Sequence, residues 1–117
     1  MTAKTTNQNL INVIKLLKME ANEADIWDTL AKKLSKSRRN RISVNISKIN
    51  RYATSDEIVV VPGKVLGSGV LNHRIHVAAL DFSRKAKTKI KGAGGTCLTI
   101  PSLLHKNPKG SRIKIIG

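Results

Sequence analysis

From residue 36 to the end, this chain carries seventeen lysines and arginines against three carboxylates, Asp56, Glu57 and Asp81. That imbalance constrains the fold before any periodicity does. Like charges at this density repel one another, and a compact state is destabilised unless a polyanion neutralises them. Residues 1–35 are different. Five basic residues (Lys4, Lys15, Lys18, Lys32, Lys33) and four acidic ones (Glu20, Glu23, Asp25, Asp28) leave them nearly neutral. The chain therefore reads as one domain of 117 residues, a near-neutral head (1–35) on a basic body (36–117), with a net charge of +15. One domain is what this length supports. The body is the expected polyanion-binding part, and the usual polyanions are nucleic acid and anionic membrane.

The membrane is set aside. No apolar run approaches the ~18–20 residues a spanning helix needs. The opening "MTAKTTNQNL" has no continuous apolar stretch, so no secretory signal is expected. Thr2 follows Met1 and the chain ends in "KIIG", so no lipid anchor is expected. One cysteine, Cys97, cannot form an internal disulfide, which fits a reducing cytoplasm.

The spacing predicts a helix over 7–19, with Leu10, Val13, Ile14 and Leu17 on one stripe. A second is predicted over 23–34, where Ile26, Trp27, Leu30, Ala31 and Leu34 share a face. Glu23, Asp25 and Asp28 load its first turns, which suits the positive end of the helix dipole. Core packing is the expected use of both stripes, and docking on a neighbouring protein is the alternative for the Leu10–Leu34 pair. "SKSRRNR" (35–41) has no apolar period and reads as a loop or extended arm. Strands are predicted at "ISVNIS" (42–47), "EIVVVPG" (57–63, ended by Pro62 and Gly63), "RIHVAAL" (74–80), "TCLTI" (96–100) and "SRIKIIG" (111–117). One helical turn is predicted at 47–53. A helix capped by Ser83 runs to Lys91 and is closed by "GAGG", and a short helix begins at Pro101. Short strands alternating with short helices behind a helical pair make a mixed α/β chain.

"GKVLGSGVLNHRIHV" (63–77) raises the question of phosphate binding. A Walker loop fails, because Gly63-Lys64 would need glycine at Ile58 and Ser or Thr at Val65. A dinucleotide fingerprint fails, because Gly67-Ser68-Gly69 would need glycine at Asn72 and a helix beyond. What remains is a tight turn whose backbone comes close to another surface, with Lys64 and Arg74 nearby to hold phosphates. A plain turn between strands explains the same residues equally well.

The cations fall in clusters. Lys36, Arg38, Arg39 and Arg41 are spaced by Ser and Asn, with no acid among them. The 83–91 helix turns Ala86 and Ile90 inward, leaving Arg84, Lys85, Lys87, Lys89 and Lys91 on its other sides with no carboxylate partner. A merely soluble helix would interleave Glu at four-residue spacing. Lys106, Lys109, Arg112 and Lys114 form a third group, and Lys48 and Arg51 join the expected contacts from the 47–53 turn. Aromatics are few (Trp27, Tyr52, Phe82), so a base-stacking platform is not expected. Backbone and shape binding to structured RNA fits better than sequence reading.

Catalytic and metal chemistry find little support. His73 and His76 are three apart, which in an extended segment puts them on opposite faces. His105 is far off, and Cys97 in a strand reads as a small apolar side chain. No Ser/His/Asp set or carboxylate cluster stands out. No cofactor, metal or small-molecule substrate is expected.

"VNISKINRYA" followed by "VVVPGKVLGSGVL" resembles the archaeal and eukaryotic large-subunit ribosomal protein eighteen-e family, relatives of bacterial ribosomal protein fifteen. The signature shared by the two families is Lys64-Val65-Leu66-Gly67-Ser68-Gly69, an aliphatic strand, then Ser83, Ala86, Ile90 and Gly94 at fixed spacings. The ending "GG", "LTI", "NPKG", "IKIIG" is similar too, and the short length resembles the archaeal form. Pro101 departs from the family pattern, where an acidic or polar residue is more usual, and is harmless at the start of a helix. The resemblance implies an irregular superhelix of short strands and helices with an N-terminal helical pair. It also implies a structural, non-catalytic role in the cytoplasmic large ribosomal subunit. There the partners would be its ribosomal RNA and neighbouring ribosomal proteins, with Gly67, Ser68, Gly69 and Lys64 against RNA phosphates. Two other classes compete. A nucleotide-dependent enzyme lacks its lysine–serine pair and metal carboxylates. A DNA-compacting protein would share the charge, but no dimer motif or wedge residue is visible.

Overall fold

A computed structural model describes residues 11–19, 25–36, 42–110 and 112–117. The elements run α1 (residues 11–19), α2 (Asp25–Lys36), β1 (Ile42–Asn45), α3 (Ile46–Tyr52), β2 (Ile58–Leu66), β3 (His76–Phe82), α4 (Arg84–Gly92), β4 (Thr96–Thr99), α5 (Ile100–Lys106) and β5 (Ile113–Ile115). The mixed α/β class and the N-terminal helical pair are both observed.

All strand pairs are parallel, and β2 is the hub. It pairs with β3 along Ile58–Val61 and again at Lys64 and Val65, and β3 in turn pairs with β4. Its other edge is shared, with β5 along Ile58–Val60 and β1 along Gly63–Leu66. A parallel sheet needs cover on both faces, which is why β2 and β3 read as unbroken apolar runs. Val59, Val61, Val65, Val77 and Ala79 point to one face, where Ile46 and Ile49 of α3 and Ala86 and Ile90 of α4 cover them. Val60 and Ala78 point to the other, under Leu17 of α1, Trp27, Leu30, Ala31 and Leu34 of α2, and Leu103 and Leu104 of α5. The apolar stripes of the first two helices are therefore used on the sheet. Trp27 is fully buried, and its indole N–H donates to Pro108 O at 2.6 Å, tying α2 to the turn before β5.

Several boundaries move. The 42–47 alternation is split, because α3 begins at Ile46, with Asn45 extended as its cap residue. β2 runs past Pro62 to Leu66; its ladder with β3 slips between Val61 and Lys64, next to a residue that has no N–H to give. β3 starts later than expected, at His76, and ends at Phe82. The second helix is described from Asp25 and runs to Lys36, past the expected Leu34, while the first is described only from residue 11. Ser83 caps α4 as expected, its hydroxyl accepting from Ala86 N, a contact worth about 1 kcal/mol. Thr99 caps α5 the same way, accepting from Ser102 N, so Pro101 falls in the first turn, where it displaces no helical bond.

Candidate nucleic-acid interface

In a parallel sheet the loops beyond the carboxyl ends of the strands gather at one edge, and ligands favour that edge. Here it carries the start of α3, the turn Gly67–Gly69 after β2, and the start of α4 after β3. α3 and α4 lie on the same face, and the glycine turn is wedged between them. Ser47 N donates to Ser68 O at 3.1 Å, and Ser68 N donates to Asn45 Oδ1 at 3.2 Å. Further on, Asn72 N donates to Asn50 Oδ1 at 3.1 Å.

Both glycines are required by close approach. A Cβ on Gly67 would lie 2.6 Å from Lys85 Cβ. One on Gly69 would lie 2.5 Å from Ser47 Cβ, and Gly69 has φ +101°, a region that side chains disfavour. The turn thus approaches its own two helices and bridges them into one surface.

That surface is cationic. Lys48 and Arg51 on α3 are exposed, as are Arg84, Lys85, Lys87 and Lys91 on α4, and neither helix contains a carboxylate. Tyr52 (52% exposed) closes α3, and Val70 (68%) follows the turn. Lys64, exposed near the end of β2, stands 3.8 Å from Asp81. Lys89 differs from its neighbours on α4. It is half-buried, and its ammonium donates to Gly67 O and Gly69 O.

The remaining sequence-selected residues fall elsewhere. Arg74 is bound to Asp56, its Nε donating to Oδ1 at 2.5 Å. That hydrogen bond holds the Asp56 carboxyl below its ordinary range and raises the Arg74 guanidinium. Lys114 is also engaged, donating to Tyr52 O and pairing with Glu57 at 3.3 Å. The Thr54 N–H, and then Lys114, hold Glu57 below the usual carboxylate value. Lys106, Lys109 and Arg112 are exposed around the turn that Trp27 anchors, between α5 and the start of β5. They sit at the amino edge of the sheet, away from the glycine turn. Arg38, Arg39, Arg41 and the Lys36 side chain lie outside the described residues.

The histidines look to different partners. His73 Nε2 is 2.7 Å from Ala53 O, and His76 Nδ1 is 3.0 Å from Thr96 Oγ1. Burial pushes the Cys97 thiol up, away from the thiolate that a nucleophile needs. Among the described residues no group of three His, Cys, Asp or Glu is placed to hold a metal. No described helix is long and apolar enough to cross a membrane.

Sequence reasoning did not find Asn45 and Ser47, which hold the turn in place, or Asn50, which holds Asn72 beyond it. They stand more than twenty residues from the atoms they bond, and no local spacing marks them. The inward turn of Lys89 did leave a trace. Residues 86, 89, 90 and 93 share one helical stripe, so Lys89 sits among residues that face the sheet.

Residues 2–116 match the family model described as ribosomal protein 60S L18 and 50S L18e. The chain is 51% identical over 117 residues to the large ribosomal subunit protein eL18 of Methanoregula boonei, covering 98% of this chain and 97% of that one. It is 51% identical over 113 residues to the eL18 of Methanothermobacter thermautotrophicus, covering 95% and 93%. Against the eL18 of Archaeoglobus fulgidus the identity is 49% over 115 residues, covering 97% and 98%.

Proposed function

The chain belongs to the family of ribosomal proteins 60S L18 and 50S L18e, and from that premise we propose that it holds large-subunit ribosomal RNA through its backbone phosphates, as a non-catalytic component of the cytoplasmic large subunit. The main contact is the face made by α3, the Gly67–Gly69 turn and α4. The observation that carries this reading is the six exposed cations, Lys48, Arg51, Arg84, Lys85, Lys87 and Lys91, on two helices without one carboxylate. Such a face repels itself in isolation and is relieved by a polyanion.

The glycine turn contributes close approach more than backbone donors, since Ser68 N is already bonded to Asn45. Lys64 adds charge beside it, shared with Asp81. Lys106, Lys109 and Arg112 make a second contact at the opposite edge, and Lys36, Arg38, Arg39 and Arg41 a third. Arg74 reaches phosphate only by sharing Asp56. Contacts at two edges of one sheet would fix separate RNA segments relative to each other. Neighbouring ribosomal proteins meet the N-terminal helical pair, on the outward side of α1 where Ile11 and Met19 are exposed.

Gradient fractionation of cell extract at low and then high salt tests this. Migration with the large subunit, released only at high salt, is the expected result. Migration as a free small protein at every salt overturns it.

A further inference from the structure

Lys89 is the one cation of α4 that turns back onto the protein. Its Nζ donates to Gly67 O at 2.6 Å and to Gly69 O at 2.5 Å. An ammonium has three donors and no acceptor, so two of its three are consumed by the turn. We propose that Lys89 is a positioning residue of the RNA-binding face: it holds the Gly67–Gly69 turn against α4 and does not itself contact phosphate. This rests on the RNA-binding reading above.

Three features carry it. First, the two bonded carbonyls belong to alternate residues of a turn with φ +101° at Gly69, and both meet one cation. A positive charge between two carbonyl dipoles stabilises that arrangement. Second, the hydrogen bonds of Ser68 hold the turn to the α3 side, through Ser47 N and Asn45 Oδ1. On the α4 side the Lys89 bonds supply the matching tether, beside the packing of Gly67 on Lys85. Third, Lys89 is half-buried, whereas Lys85, Lys87 and Lys91 are exposed. A phosphate would reach those three first.

A positioning lysine and a phosphate-contacting lysine differ in one observable. Removing a lysine that neutralises a phosphate lowers the slope of log K against log salt by close to one unit. Loss of preorganisation lowers affinity at every salt and leaves the slope alone. The test titrates an in vitro transcript of large-subunit ribosomal RNA with the full chain, Lys89→Met, Lys89→Gln and Lys87→Ala across a salt series. Amide exchange over residues 67–71 is followed in the free proteins. Lys89→Met keeps the apolar stem and removes the charge; Lys89→Gln keeps a donor and guards against a folding failure in the first variant.

The expected result is about tenfold weaker binding for Lys89→Met at every salt, with an unchanged slope and faster exchange in the turn. Lys89→Gln shows the same pattern at smaller amplitude, and Lys87→Ala loses about one unit of slope with the turn's exchange unchanged. A fall of about one unit in slope for Lys89→Met, with exchange unchanged, makes Lys89 a phosphate contact and overturns the proposal. Faster exchange with unchanged affinity overturns it too, since the shape of the turn would then not matter to binding. If the unsubstituted chain does not bind the transcript, the RNA-binding reading itself fails, while amide exchange still reports whether Lys89 holds the turn.

Discussion

The two faces of the sheet are covered in opposite ways. On one, α2 buries Trp27, Leu30, Ala31 and Leu34 and pairs Lys32 with Asp28 at 3.0 Å on its outer side. On the other, the seven-residue α3 and nine-residue α4 each bury only two residues and show cations outward. The first cover is an ordinary amphipathic one, in which α2 sets Asp25 and Asp28 against Lys32, Lys33 and Lys36. The second is thin and electrostatically frustrated in isolation. A protein that folds before it meets its partner needs one face for stability and can give up some on the other. The difference separates what holds the chain together from what it binds with.

The sharpest way to break that division is at Trp27. Trp27→Ala removes a fully buried ring and leaves Pro108 O without its donor. A loss of about 3–5 kcal/mol is expected in denaturant unfolding. Well below the variant's own melting point, the salt slope of RNA binding should fall by no more than the about three units that Lys106, Lys109 and Arg112, around the turn that Trp27 anchors, can contribute. A larger fall would mean that the α3–α4 face is not separable from the packing under α2.

Gly69→Ala tests the other face where backbone, not packing, holds it. The new Cβ would meet Ser47 at a position with φ +101°. A cost of about 1–3 kcal/mol is expected, smaller than at Trp27, but here RNA affinity should fall as well. Unchanged affinity would mean that the turn is scaffolding alone.

How much of this was legible in the sequence follows the same division. Features that rest on neighbours along the chain could be read. The α2 stripe, the Ser83 cap, the apolar runs of β2 and β3 and the outward placement of Arg84, Lys85, Lys87 and Lys91 all did what their spacing implies, while Lys89, expected outward with them, turns in. Features that rest on distant pairs could not. Nothing in "EIVVVPG" reveals that β2 continues beyond Pro62, because that continuation depends on β1 and β3 flanking Gly63–Leu66. Ile46 keeps the strand alternation of Ile42 and Val44, yet tertiary packing puts it into α3. Within the interface, Lys64 and Arg74 read as available charges, but their carboxylates stand 17 and 18 residues away in sequence and come close only in the fold. Charge was visible in composition; its pairing was not.

The pair Lys87→Ala, Lys91→Ala sharpens the contrast on the binding side. Both side chains are exposed and without a carboxylate on their helix. Stability should change by less than about 0.5 kcal/mol, and any gain would reflect relieved repulsion. The salt slope should fall by about two. A marked loss of stability would show that these lysines hold the fold together.

The smallest effect concerns the Asp56–Glu57 corner, where carboxylates do sit among the cations. The hydrogen bond from Arg74 holds Asp56 below its ordinary value, with lesser help from the charges of Arg74 and His76. A carboxylate depressed in the folded state stabilises it above its unfolded pKa, and that contribution is lost as the pH falls through the folded value. Both residues are exposed, so the contribution is screened and modest. Asp56→Asn is the suited control, because Asn tolerates the left-handed backbone that Asp56 adopts (φ 67°). The stability difference between parent and variant should be present at neutral pH and close as the solution is acidified below about pH 4. It should also shrink with added salt. Glu57, depressed by the Thr54 N–H and by Lys114, titrates in both proteins and cancels in that difference. A difference that stays constant through acid would mean that the Arg74 pairing leaves the stability of the fold untouched. Arg74 would then be as available to phosphate as the lysines of α4, and the corner would belong to the binding face.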